Sequence, residues 1–499
     1  MTTAEHRIRS QPRTFDSVNP ATGDVVGTHP VDGPEQVGGA VARARPAAQW
    51  WAELGFDERR RRLKAWKGIV ARRAGELAEL IHRENGKPTV DAFIEIMVSV
   101  DLIEWASRKA KKVLGPRRMP AGLTMINHAA SLEYQPLGVI GVIGPWNYPL
   151  VTPMGSLASA LAAGNAVVFK PSEFTPGVGL WLAKHFDSVV PEHPVFQVVT
   201  GYGETGAALC ASGVDKIAFT GSARTGRKVM AACATNLTPV LMECGGKDAM
   251  IVAEDADVDA AADAAVWGGM SNAGQTCIGV ERIYVAEPVY DEFVGRVTEM
   301  ARELTPGSHP EAHYGPITMP GQINVISRHL NDALDRGARA LVGGAGSVHP
   351  PYVDPVVLVD VPAEAPAMCE ETFGPTLAIT RVRDHEEALR LANETAYGLA
   401  ASVFSRRHGM GVARRLRTGM TSVNSVLSFS AVPSLPFGGV GESGFGRVHG
   451  EDGLREFSRA KAITRQRFRP AVNATTFAKR SDRTAAVMAR LLHLVHGRR

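Results

Sequence analysis

Five cysteines in 499 residues, none of them in a Cys-x-x-Cys pair or a Cys/His cluster, leave no disulfide framework and no structural zinc site to be read. An odd number of scattered thiols fits a reducing compartment, so the expected location is cytoplasmic. Long apolar runs are also missing. The longest, LASALAAGNAVVF, is broken by Gly164 and Asn165 and reads as a helix followed by a strand, too short to span a bilayer. The opening MTTAEHRIRSQPRTF lacks the apolar core of a secretory signal. Aromatic residues make up only 6%, and they do not interleave with basic residues, so no nucleic-acid partner is expected. Net charge is small, +4, but unevenly placed: residues 461–499 hold ten Lys and Arg and one acid, Asp482.

What is present is globular. Hydrophobic content is 44% and charged content 21%, and the length implies two or three domains. VNPATGDVVGTHPV reads as a hairpin turning at Pro20-Ala21-Thr22-Gly23. From about 34 to 113 the pattern is helical. The Arg-rich DERRRRLKAWKGIV reads as a solvated helix face, and Gly86 as a helix C-cap. Beyond 137, short β-branched runs (GVIGVIGP, NAVVFKPSE, VFQVVTG, KIAFTGS) alternate with helical segments. A second such series follows 243 (AMIVAE, ERIYVAE, PVVLVD, TLAITRV). Alternation of this kind predicts α/β layers with parallel sheets, one before and one after residue 243.

Several short segments carry chemistry-bearing residues, each with a bland alternative. Cys277 in GGMSNAGQTCIGVER sits among small and polar residues, where a thiol is either a nucleophile or a turn filler. KIAFTGSARTG forms a strand, a Gly221-Ser222 turn and a helix. Such a helix start can face a phosphate, although many turns contain glycine. Lys170 and Glu173 in AVVFKPSE could bind ribose hydroxyls or form a surface ion pair. Asn147, in the rigid PWNYP turn, is an amide poised either to donate into an oxyanion site or to cap its own turn. Glu243 ends an apolar strand, so burial should raise its pKa towards that of a general base; a structural ion pair is the alternative.

Taken in order, PWNYP, FKPSE, FTGS, ECGGK, GQTC, EETFGP and PFGGVGESGFGRVHG resemble the NAD(P)-dependent aldehyde dehydrogenase superfamily over roughly residues 17–458. That resemblance implies a Rossmann-like cofactor domain (1–117 and 137–242) and an α/β catalytic domain (243–450). It further implies a small β oligomerisation arm (118–136 and 451–478), leaving 479–499 as a basic amphipathic tail. It implies Cys277 as nucleophile, Asn147 as oxyanion donor and Glu243 as the base that hydrolyses a thioester. Lys170, Glu173, Gly221, Ser222, Trp146, Glu371 and Phe373 are the implied cofactor contacts, with NAD favoured by Glu173 and NADP not excluded. No metal is implied, and a homodimer or homotetramer is. A catalytically inactive dinucleotide-binding protein on the same fold is the reading from a different class; the presence of Cys277, Glu243 and Asn147 together argues against it.

The substrate channel is expected from the helix after Asn147 and the loop NSVLSFSAVPSLPFGG. Leu150, Thr152, Met154, Leu427 and Phe429 should line it, and Gly155 should open it. Both segments lack arginine, which favours a medium to long aliphatic aldehyde. Succinate semialdehyde is the alternative, with Arg282 as a candidate clamp. Cys244, where the family usually has Leu, is either a buried filler or a redox partner of Cys277. In the tail, Ala485, Met488, Leu491, Leu492 and Val495 recur at helical spacing among Arg483, Arg490, Arg498 and Arg499. Such a helix can lie on an anionic membrane surface or pack on protein.

Overall fold

The computed structural model describes residues 13–469, 476–477 and 481–497, and the chain forms two compact units. The larger comprises the chain up to Val113 together with Pro136–Ser458. The hairpin is present, Thr14–Val18 pairing antiparallel with Val25–Pro30. Three successive helices follow (Pro34–Glu53, Gly55–Arg72 and Ala74–Asn85), the last ended by Gly86 in the left-handed conformation, then the long helix Thr89–Leu114. The Arg-rich face is not uniformly solvated. Arg59 is buried, its guanidinium donating to the Ala52 carbonyl at 2.9 Å, because it fills the junction left where the first helix ends.

Two sheets follow, and their strand order fixes where a ligand can bind. The first runs Gly444–Phe445, Val240–Glu243, Lys216–Thr220, Val139–Ile143, Ala166–Lys170, Phe196–Val198. All neighbours are parallel except the Gly444–Phe445 edge, which returns from far along the chain. The chain leaves the central Val139–Ile143 strand towards Ala166–Lys170 on one side and later occupies the other side with Lys216–Thr220. That reversal opens a crevice at the strands' carboxyl ends. The second sheet has seven strands and centres on Asp248–Val252 and Val280–Ala286, flanked by Thr376–Val382 and Ala400–Phe404. Its central strands Asp248–Val252, Val280–Ala286 and Ala400–Phe404 are buried along their whole length, as parallel strands covered by helices on both faces require.

The smaller unit comprises Leu114–Gln135 and the chain from Arg459 onward. It holds a three-stranded sheet in the order Ser458–Gln466, His128–Pro136, Arg117–Met119. Its C-terminal helix, Asp482–His496, is capped by Ser481, whose hydroxyl accepts the Thr484 N–H, and Met488, Leu491, Leu492 and Val495 are exposed along it. Arg498 and Arg499 lie outside the described residues. No helix among the described residues is long and apolar enough to cross a membrane.

Candidate active site

Four of the residues singled out from sequence stand at carboxyl ends of adjacent strands of the first sheet. Asn147 follows Val139–Ile143, Lys170 ends Ala166–Lys170, Gly221 follows Lys216–Thr220, and Glu243 ends Val240–Glu243. Cys277 arrives from the other side, three residues before Val280 begins its strand in the second sheet. The two edges are stitched together. Asn147 Nδ2 donates to the Gln275 carbonyl at 2.9 Å, and the Tyr148 hydroxyl and Thr276 Oγ1 are 3.0 Å apart.

The turn that presents Cys277 is strained. Asn272 and Ala273 both hold left-handed backbone (φ 51° and 56°), followed by Gly274 at 70°. A non-glycine residue in this region costs of order 1–3 kcal/mol, so the surroundings must over-determine it. They do: Asn272 Nδ2 donates to the Asn147 carbonyl at 3.1 Å, and Gln275 Nε2 to the carbonyls of Asn272 and Pro316. At Gly274 a methyl group would sit 2.0 Å from the Gly374 oxygen, so only glycine fits.

Burial dominates the electrostatics. It pushes the Cys277 thiol well above its ordinary value, with Glu243, Glu371 and Asp248 adding to the effect. Glu243 rises to about 8 through burial, against a smaller downward pull from Arg447, and its Oε1 has no hydrogen-bond partner. Glu371 also rises to about 8, through burial and then the nearby Glu281. The Glu243 carboxyl is therefore no structural ion pair. It is held ready to exchange a proton near neutral pH.

The residues expected to contact a cofactor hold defined positions as well. Lys170 is buried, its ammonium meeting the Pro171 carbonyl at 2.9 Å and Glu173 Oε2 at 3.5 Å, so it is no surface pair. Ser222 caps the helix Ala223–Ala234 by accepting the Thr225 N–H. The Trp146 ring meets Phe373 edge-on, centroids 5.5 Å apart. Glu371 Oε1 accepts the Gly246 N–H at 3.1 Å, and a side chain at Gly245 would collide with that carboxylate at 2.2 Å. Phe373 holds a left-handed φ of 54° because Glu281, paired with Lys247, takes the N–H groups of both Thr372 and Phe373. A helix N-terminus, a buried lysine and a glycine-cleared floor fit an NAD(P) molecule.

A cavity of about 250 Å³ reaches Cys277 and Glu243. Its wall comes from well-separated segments: Asp91, Ile94, Glu95 and Val98; Val151 and Thr152; Trp267; Val426, Leu427, Ser428, Ser430 and Ala431; and Val448 with His449. Several expectations are corrected here. Leu150 and Met154 are fully buried behind the wall, and Phe429 packs into the apolar cluster around Leu399 and Met420; Thr152 and Leu427 do line the cavity. Gly155 does not open a channel. It makes room for His449, whose Nε2 would lie 2.7 Å from any Cβ there. Arg282 cannot clamp a substrate: it is buried, donating to the Lys247 carbonyl, the Tyr284 hydroxyl and the Ala392 carbonyl. Cys244 lies under the Ala223–Ala234 helix, its sulfur packed against Gly226, and burial lifts its thiol to about 12; it behaves as filler.

Two features escaped the sequence reading. Lys87 and Glu95 form a wholly enclosed ion pair, both side chains 0% exposed, at 2.9 Å. Lys87 also donates to the Asn147 carbonyl at 2.8 Å and lies 3.8 Å over the Tyr148 ring, while Glu95 Oε1 accepts the Leu150 and Val151 N–H groups. The pair thereby fixes the PWNYP turn from behind. The Gly86-Lys87-Pro88 step after a helix end was the available signal. His449 is the second: buried, left-handed (φ 60°), with Nδ1 unpartnered and its pKa lowered by burial to about 4.

Comparison with known proteins agrees with this geometry. The family model described as the aldehyde dehydrogenase family matches residues 7–463. The chain is 37% identical to a 4,4'-diapolycopene aldehyde oxidase of Methylomonas sp, covering 89% of this chain and 84% of that protein. It is 34% identical to a succinate-semialdehyde dehydrogenase (NADP(+)) of Deinococcus radiodurans, covering 92% and 97%. Among solved structures, lactaldehyde dehydrogenase from Escherichia coli superposes with a TM-score of 0.88 at 32% identity, covering 92% of this chain and 96% of that one. A strained cysteine turn facing a raised-pKa glutamate across an NAD(P)-shaped crevice, and a family match over nearly the whole chain, place this protein in the aldehyde dehydrogenase family as an NAD(P)-dependent enzyme.

Proposed function

We propose that the enzyme oxidises an apolar aldehyde of medium to long chain to the carboxylic acid, with Cys277 as nucleophile and Glu243 as base. The observation that carries the substrate class is the cavity wall: it contains no Lys or Arg, and its charged side chains are the carboxylates of Asp91, Glu95 and Glu243. A substrate carboxylate would find no free counter-ion there, because the nearby Lys87 is enclosed and already paired with Glu95. The exposed Ile94, Met97 and Trp267 side chains extend the apolar character outward.

The Cys277 thiol gives up its proton to water and its sulfur adds to the aldehyde carbon, whose oxygen takes the charge and a hydrogen bond from Asn147 Nδ2, whose other N–H is held by Gln275. The nicotinamide of NAD(P), when bound, accepts the hydride. The acyl group then remains on Cys277 as a thioester. Glu243 takes a proton from water, hydroxide adds to the acyl carbon, the C–S bond breaks with the electron pair on sulfur, and Glu243 returns its proton to the departing Cys277 thiolate as the acid is released. Because Glu243 acts in its ionised form, hydrolysis should rise with pH through about 8 and level off above it. Lys170 and Glu173 would hold the adenosine ribose, the Gly221-Ser222 turn and its helix the pyrophosphate, and Glu371 with Phe373 the nicotinamide side. A carboxylate at Glu173 would repel a 2′-phosphate, which supports NAD over NADP; KM for the two cofactors tests it.

Succinate and glutarate semialdehydes are the second reading, favoured by the names of relatives at 34% identity. NADH formation against aldehydes from acetaldehyde to dodecanal, with both semialdehydes included, separates the two. Rising kcat/KM with chain length is expected, and a preference for either semialdehyde would overturn the apolar assignment. The exposed apolar stripe of the Asp482–His496 helix, beside basic residues, supports contact with an anionic lipid surface. Co-sedimentation with anionic vesicles, lost on deletion of 479–499, checks it. Assembly as a dimer or tetramer is read out by sedimentation velocity.

A further inference from the structure

Outside the catalytic cavity, the second sheet gathers a different set of groups at its carboxyl edge. Glu254 follows the strand Asp248–Val252, His385 follows Thr376–Val382 and opens the helix His385–Asn393, and His408 follows Ala400–Phe404. One ligand atom from each lies within 4.8 Å of the other two. His385 Nδ1 and Glu254 Oε1 are 2.8 Å apart, and the two imidazoles stack face to face, centroids 4.3 Å apart and 15° from parallel. The second carboxylate oxygen, Glu254 Oε2, is enclosed and has no hydrogen-bond partner. Nearby cations are engaged elsewhere: Arg407 Nε donates to Asp255, and Arg415 holds both oxygens of Glu386.

We propose that Glu254, His385 and His408 form a site for one divalent transition-metal ion, of the class of Zn²⁺, Co²⁺ or Ni²⁺. Two imidazoles and a carboxylate suit these ions and not Mg²⁺ or Ca²⁺, which prefer oxygen throughout. Bonds of about 2.0–2.2 Å put neighbouring ligand atoms roughly 3–4 Å apart, so the ligand atoms need to close by about 1 Å while the two stacked imidazoles turn out of parallel to bring one nitrogen of each in line with the ion. The metal replaces the proton shared by His385 Nδ1 and Glu254. The neutral ring then carries its one proton on Nε2, which lies 3.7 Å from Glu386 Oε1, an outer partner of the kind metal-bound histidines use. Water completes the coordination. The site stands at the carboxyl edge of the sheet whose amino edge carries Cys277, so it ties the loops after three strands together and takes no part in aldehyde oxidation.

The full-length protein, stripped with chelator, is titrated with Co²⁺ followed by its visible spectrum, and with Zn²⁺ in equilibrium dialysis. One Co²⁺ per chain is expected, with d–d bands typical of nitrogen and oxygen ligands, displaced by one Zn²⁺. His408→Gln and Glu254→Gln should each weaken binding at least tenfold while the stripped variants keep their far-UV circular dichroism and NADH-forming activity. Sub-stoichiometric uptake, uptake unchanged in both variants, or a thiolate charge-transfer band pointing to cysteine ligands would each overturn the proposal.

Discussion

The two walls of the active site are built differently. The wall proposed for the cofactor consists of turns at strand ends of one sheet: Lys170, Gly221 with Ser222, and the Gly245-Gly246 step beneath Glu371. Each of these is a local sequence feature, because a strand end, a glycine and a capping hydroxyl lie within a few residues of one another. The wall proposed for the substrate consists of side chains brought from segments scattered between Asp91 and His449. Its shape depends on which side of a helix faces inward, and that is decided by packing. A site of this kind can keep its reaction while exchanging its substrate, since the two walls share few residues.

The largest effect should fall where the walls meet. Cys277→Ala is expected to lower kcat by about 10⁴-fold or more while leaving cofactor binding measurable by fluorescence titration; retained turnover would refute the nucleophile. Glu243→Gln should slow thioester hydrolysis by about 10²–10⁴-fold but leave the first hydride transfer near its normal rate. Stopped-flow traces should then show a burst of NADH, and the rise in steady-state rate through pH 8 should vanish. A burst slowed as much as the steady state would refute the assignment.

Next in size is the support behind both walls. Lys87→Met leaves Glu95 buried without its counter-ion and should cost about 3–5 kcal/mol in denaturant unfolding. On the substrate wall, Gly155→Ala forces a methyl group to within 2.7 Å of the His449 ring and 3.3 Å of Val448. It should destabilise by about 1–3 kcal/mol and shift the chain-length profile of kcat/KM without changing KM for cofactor. The smallest change belongs to the cofactor wall. Ser222→Ala removes a cap, costing about 1 kcal/mol, and should raise KM for NAD while leaving aldehyde preference alone. If Gly155→Ala moved cofactor KM as well, the separation of the two walls would fail.

The sequence by itself determined the alternation of strands and helices, because β-branched runs closed by Gly or Pro and 3.6-residue periodicity are local properties. It determined the helix end at Gly86 for the same reason. It also marked Cys277, Asn147 and Glu243 as candidates with bland alternatives, and only the resemblance of seven ordered motifs to the aldehyde dehydrogenase family gave them roles. Only the tertiary structure decided that Gly155 shelters His449, that Arg282 spends its donors on two backbone carbonyls and the Tyr284 hydroxyl, and that Lys87 holds the PWNYP turn from behind. It alone paired Gly444–Phe445 with Glu243 and brought Glu254, His385 and His408 together. Each of these joins residues that are well separated along the chain. Such contacts arise when the sheets close and buried polar groups find partners, so no local pattern carries them.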